Sequence, residues 1–131
     1  MAEGLARARL AGRPGLRVES AGLGALVGHE ADPVARELLA ERGVDLSGHR
    51  ARQLDPGLLK GFDLVLAMEE GHVHAIERLA PEMRGRVHRI GKFGKFDVPD
   101  PYRKPRAAFE QALALIERGL ADFERTFWRS T

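Results

Sequence analysis

The 131-residue sequence contains no cysteine. That excludes disulfides, and it excludes any thiol chemistry supplied by these residues. Aromatic rings are scarce, with one Trp, one Tyr and six Phe. No apolar run reaches the roughly 18 residues a spanning helix needs, so no membrane insertion is expected. Neither sign of charge dominates: 21 Lys and Arg stand against 19 Asp and Glu, a net charge of +2. Basic residues do gather at Arg84, Arg86, Arg89, Lys92 and Lys95, and again at Arg103, Lys104 and Arg106. With acidic residues balancing them elsewhere, they read as a solvated surface able to attract an anionic substrate, not as a nucleic-acid site. The opening "MAEGLARARLAG" has no long apolar region and does not read as a secretory signal, so the cytoplasm is the expected location.

Several chemistries are excluded by spacing. His72 and His74 are two apart on a helical stretch and point to different faces. His29, His49 and His88 show no ligand spacing, so no metal is expected. "GLGALVG" (22–28) matches neither the dinucleotide nor the P-loop pattern, and no cofactor is expected. No G-x-S-x-G nucleophile elbow occurs.

What is present is one domain's worth of alternating elements, 44% hydrophobic over residues 1–131. A helix is expected at 2–12, anchored by Leu5 and Leu10, then a strand at 16–19, "LRVE". Residues 20–32 read as a loop. Asp32-Pro33 reads as a helix start, and Gly43 as the stop of a helix reaching about Arg42. An irregular connector at 44–54 precedes a helical turn opened by Asp55-Pro56. A buried strand follows at 62–68, "FDLVLAM", then a helix at 70–79 and a strand at 86–90. After a 91–104 loop, Phe109, Leu113, Ile116, Leu120, Phe123 and Phe127 form the stripe of a long helix. Strands alternating with helices imply an α/β fold with a parallel sheet. The order is unusual, because no strand feeds the first helix.

Asp100 sits between Pro99 and Pro101 and beside Tyr102. Prolines restrict their own φ and bias the preceding residue to extended geometry, so this carboxylate is held on a stiff loop. Such a residue serves equally as a turn former or as a proton donor. Ser20, at the end of the expected strand, and His49, in "SGHRARQ", are further candidates.

Considered together, the motifs are specific. "VESAGLGALVG" (18–28), "ADP" (31–33), "GHRARQ" (48–53), "FDLVLAMEEGH" (62–72), "APEMRG" (80–85) and "PDPYRK" (99–104) span nearly the whole chain. In type and order they resemble the low-molecular-weight protein-tyrosine phosphatases, in particular the bacterial branch linked to capsule and exopolysaccharide export. The resemblance implies a three-layer α/β/α fold with a small parallel sheet of four strands. It implies hydrolysis of phosphotyrosine through a phosphocysteine intermediate, with no cofactor. Asp100 matches the family's general acid, and Tyr102 the aromatic flanking the substrate ring. Leu26 and Arg103 match positions on the substrate wall. Ser20 and His49 match residues that brace the phosphate loop. The implied partner is a phosphotyrosine protein, specifically an autophosphorylating bacterial tyrosine kinase of polysaccharide export.

One departure is large. The family's nucleophile is a Cys in a C-x-x-x-x-x-R loop after a central first strand, and neither is in this sequence. The family's loop ends R-S-P, then one residue, then A-E, whereas this chain begins "MAE". The expectation is an N-terminal truncation of roughly 15 residues, enough for a short strand and a tight loop. Without that strand the neighbouring edges lose partners, at about 1–3 kcal/mol per buried unsatisfied group against a total stability of about 5–15 kcal/mol. The chain as given is therefore expected to fold poorly or rearrange, and to be inactive. A Cys-free pseudo-phosphatase acting as a binding module, and an arsenate reductase-like relative, are the alternative readings.

Overall fold

The computed structural model describes residues 1–10, 17–22 and 30–127. Leu26 and His29 lie outside the described residues. The described chain is α/β, and it divides into two compact units. One comprises Met1–Leu54 and Tyr102–Leu113. The other comprises Asp55–Pro101 and the chain from Ala114 onward.

The first unit opens with helix α1 (Ala2–Arg9), within the stretch expected at 2–12, whose residues 11 and 12 lie outside the described residues. Glu3 in its first turn and Arg7 and Arg9 in its last complement the helix dipole. Leu5 and Leu10 are buried as expected. Gly4 allows the close approach: a Cβ there would sit 2.7 Å from Leu46 Cδ2 and 3.1 Å from Val44 Cγ1. Helix α2 (Pro33–Ala40) is capped by Asp32, whose carboxylate accepts from the Val34 N–H at 2.9 Å. It ends in a Schellman turn. Gly43, at φ 75°, donates to Ala40 O, and Val44 donates to Leu39 O. Leu38, Leu39, Phe109 and Leu113 complete this unit's apolar interior.

The strand expected at 16–19 is not formed over its described part: residues 17–20 have no regular structure, and Leu16 lies outside the described residues. A strand exists only where a neighbour answers its backbone groups, and here side chains answer instead. Arg7 Nε and Nη2 donate to Val18 O at 3.1 and 2.8 Å, and Arg52 Nη2 donates to Ser20 O at 3.0 Å. Pairing begins only beyond, at the isolated parallel bridge Gly22–Gln53 and the antiparallel bridge Glu30–Arg50.

The second unit carries the sheet. Asp55 caps the single turn of α3 (Pro56–Leu59) by accepting from Leu58 N–H at 2.9 Å. Strand β1 (Val65–Ala67) pairs in parallel with β2 (Val87–Arg89), in register Val65–Val87 through Ala67–Arg89. A parallel pair needs a long crossover. Here it contains α4 (Glu70–Leu79) and a 3-10 turn at Pro81–Met83. Both strands are shorter than the stretches expected at 62–68 and 86–90, and among the described residues the sheet has these two strands. Helix α5 (Arg106–Phe127) begins in the first unit and continues in the second. In the second it buries Ile116, Leu120 and Phe123. The side chain of Phe127 lies outside the described residues.

Candidate functional site

In the first unit, α1, the 17–20 segment and the 43–52 connector line an open cavity of about 670 Å³. Ser20 and His49, remote in sequence, both line it. His49 comes from the half-buried connector after the Schellman turn, and its Nδ1 lies 3.1 Å from Glu3 Oε2 on α1. Ser20 is held through its backbone by the Arg52 guanidinium.

The cavity wall is rich in charge, but that charge is already paired. Arg52 Nη1 donates to Glu19 Oε1 at 2.9 Å, and this bond holds the Glu19 carboxyl below the usual carboxylate range. Arg7 lies 3.6 Å from Glu3 while donating to Val18 O. Arg50 donates to Glu30 Oε1 at 3.3 Å and to Ser47 O at 3.1 Å. The Ser47 N–H lowers the Asp45 carboxyl in the same way, by bonding to it at 2.8 Å. These arginines hold carbonyls and carboxylates. A phosphate dianion entering here needs donors beyond them.

Glu3, Arg7 and Arg52 were not singled out from the sequence. Arg52 lies inside the quoted "GHRARQ" motif and Glu3 in the opening "MAE", but their partners are 32 to 46 residues away. No local spacing announces such pairs.

In the second unit, Asp100 is exposed on the loop that follows β2. Two residues earlier, buried Val98 donates its N–H to Met68 O at 2.8 Å, just past the end of β1. Carboxyl ends of strands are where open α/β sheets place their ligands. Tyr102 and Arg103 belong to the first unit. Tyr102 is 49% exposed, and the Arg103 guanidinium lies 5.3 Å from its ring centroid, a cation–π contact. Arg103 holds φ at 61°, unusual for a non-glycine residue, and this bend turns the chain directly after Tyr102.

Two of the clustered cations are committed elsewhere. Arg106 binds Glu37, Glu41 and Glu110, tying α2 to the start of α5. Arg89 binds Asp97 and Glu70. Among the described residues no group of three or more His, Cys, Asp or Glu could hold a metal ion, and no helix is long and apolar enough to cross a membrane.

A family model described as "Low molecular weight phosphotyrosine protein phosphatase" matches residues 1–130. The chain is 47% identical over 120 residues to the probable low molecular weight protein-tyrosine-phosphatase EpsP of Ralstonia solanacearum, covering 92% of this chain and 81% of that protein. It is 48% identical over 106 residues to the low molecular weight protein-tyrosine-phosphatase Wzb of Escherichia coli, covering 80% of this chain and 72% of that one. Among solved structures, Vibrio vulnificus Wzb in complex with benzylphosphonate superposes with a TM-score of 0.88 at 36% identity, over 96% of this chain and 88% of that one.

Proposed function

Because the chain belongs to the low molecular weight phosphotyrosine protein phosphatase family, we propose that it carries the acid, the substrate wall and the loop-bracing residues of a phosphocysteine mechanism. In that reaction a Cys thiolate attacks phosphorus and the P–O bond to the tyrosine breaks. The leaving phenolate has a pKa of roughly 10, so it departs better with a proton. Asp100 gives that proton. The resulting Asp100 carboxylate then takes a proton from the water that attacks the phosphocysteine, which regenerates the thiolate and releases phosphate. Tyr102 flanks the substrate ring, with Arg103 beside it; the wall role of Leu26 rests on the family resemblance alone.

The nucleophilic Cys is not among these 131 residues, and neither is the loop whose Arg binds phosphate. The observation that carries the reading is that Ser20 and His49, from distant segments, line one cavity whose own cations are already paired. On this reading the cavity receives the strand and phosphate loop, and backbone N–H groups of that loop are the missing anion donors. The chain as given is then inert toward phosphotyrosine. The substrate is a phosphotyrosine protein, and the partner that fits best is an autophosphorylating tyrosine kinase of polysaccharide export.

The test is kinetic. The chain is joined in frame to a segment bearing the family's strand and C-x5-R loop, and phosphotyrosine peptide turnover is measured. Asp100→Asn is expected to lower kcat by about 10²–10⁴-fold, the usual worth of a general acid. The loss should shrink with p-nitrophenyl phosphate, whose leaving group is more acidic. An unchanged kcat with the peptide would refute the role given to Asp100.

A further inference from the structure

The loop that carries Asp100 is fastened at one carboxylate to which no role has been given. Asp97 Oδ1 accepts from Arg89 Nη1 at 2.9 Å and from the Glu70 backbone N–H at 3.2 Å. Arg89 ends β2, and Glu70 opens α4, so one oxygen ties the loop to a strand and to a helix at once. The next residue, Val98, is buried and donates to Met68 O. On the other side, Phe96 donates to Gly91 O at 3.1 Å, and the Arg118 guanidinium lies 5.0 Å from the Phe96 ring centroid. Gly91 must be glycine here, because a Cβ would lie 2.0 Å from Phe96 O. The chain from 91 to 98 is thus pinned at successive points, and the last charged one lies three residues before Asp100. Beyond Val98, prolines on both sides of Asp100 stiffen what remains.

Resting on the reading of Asp100 as the acid, we propose that Asp97 is a positioning residue: its bonds to Arg89 and to the Glu70 N–H fix where the Asp100 loop leaves the sheet. It touches no substrate. Arg89, which also lies 3.5 Å from Glu70, is its partner in this role. A charge-assisted bond is stronger and shorter than a neutral one, so it restricts the loop more than a turn residue alone would. In keeping with this, the Arg89 guanidinium and the Glu70 N–H hold the Asp97 carboxyl below its usual range.

The chain offers a reporter, because Tyr102 is its only tyrosine. Incorporated 3-fluorotyrosine gives a single fluorine resonance two residues from Asp100. In the chain joined to a tyrosine-free strand and C-x5-R segment, Asp97→Ala is expected to shift and broaden that resonance. It should also speed hydrogen exchange at the Val98 amide by about tenfold or more, the effect of losing a bond to a charged group. Asp97→Asn keeps one acceptor oxygen and should fall between. The amides of Ile116 and Leu120 in α5 should keep their parent rates. Val98 exchange and fluorine resonance indistinguishable from the parent in both variants would overturn the proposal. So would faster exchange spread equally over α5, which would make Asp97 a general stabiliser. None of these readouts depends on turnover, so they can fail while Asp100 remains the acid. The Asp100→Asn assay can fail while the loop stays fastened.

Discussion

Gly119 lies in the interior of α5, where helix propensity alone favours alanine by about 1 kcal/mol. The surroundings oppose that gain. A Cβ at Gly119 would sit 2.7 Å from Ile90 O, 2.8 Å from Ile90 Cγ1 and 3.1 Å from the Ile90 carbonyl carbon. Two of these three atoms belong to the backbone and cannot rotate away. Nor can Ile90 retreat cheaply: it is 1% exposed, and its N–H donates to Ala67 O at 2.7 Å, closing the end of the β1–β2 pair. Overpacking of this kind costs about 1–3 kcal/mol, and a rigid obstacle belongs at the upper end. Gly119→Ala should therefore destabilise the fold by about 1–2 kcal/mol net, read as a lower urea midpoint at unchanged slope in the chain joined to a strand and C-x5-R segment. Gly71 supplies the contrast. It also lies in a helix, α4, and a Cβ there would meet nothing within 4 Å. Gly71→Ala should be neutral or stabilising by up to about 1 kcal/mol. If Gly119→Ala proved as stable as the parent or more so, the close contact between α5 and the end of β2 would be wrong.

Two further outcomes follow from the same structure. Leu39 is 0% exposed, so Leu39→Ala should cost about 2–5 kcal/mol in urea unfolding, against well under 1 kcal/mol for an exposed position; a cost below about 1 kcal/mol would contradict the packing of the first unit. The folded-state pKa of Asp97 lies below its unfolded value because of Arg89 first and the Glu70 N–H after it. A lowered pKa gives a contribution present above the unfolded value of about 3.9 and lost as pH falls through the folded one. Between about pH 5 and pH 3 the parent should lose more stability than Asp97→Asn, and equal losses would show that the bonds to Asp97 are not made.

Elements fixed by neighbours in sequence were legible. Asp32-Pro33 and Asp55-Pro56 start helices where their caps and prolines demand it, Gly43 stops one, and α4 occupies 70–79 as its pattern requires. The α5 stripe is buried at Phe109, Leu113, Ile116, Leu120 and Phe123, as its period picks out. Residues 17–19 do not form the strand expected there because alternation states only a willingness to pair, and the Val18 and Ser20 carbonyls are taken by Arg7 and Arg52. The site was legible as motifs and not as contacts. Asp100, Tyr102, Ser20 and His49 could be named from "PDPY", "VESAG" and "GHRARQ". Glu3 against His49, 46 residues apart, and Asp97 against Arg89 and Glu70 depend on how the chain folds back. The family that the motifs resemble is the one to which the chain belongs. The assignment of Leu26 to the substrate wall falls outside the described residues.

The proposed function has these residues framing a phosphotyrosine phosphatase site, and no cysteine is among the 131. The most direct measurement is phosphotyrosine peptide turnover by the chain alone and by the same chain joined to a strand and C-x5-R segment. The account predicts no turnover above background for the first and multiple turnovers for the second. Turnover by the chain alone, or none from a folded joined protein, would contradict it.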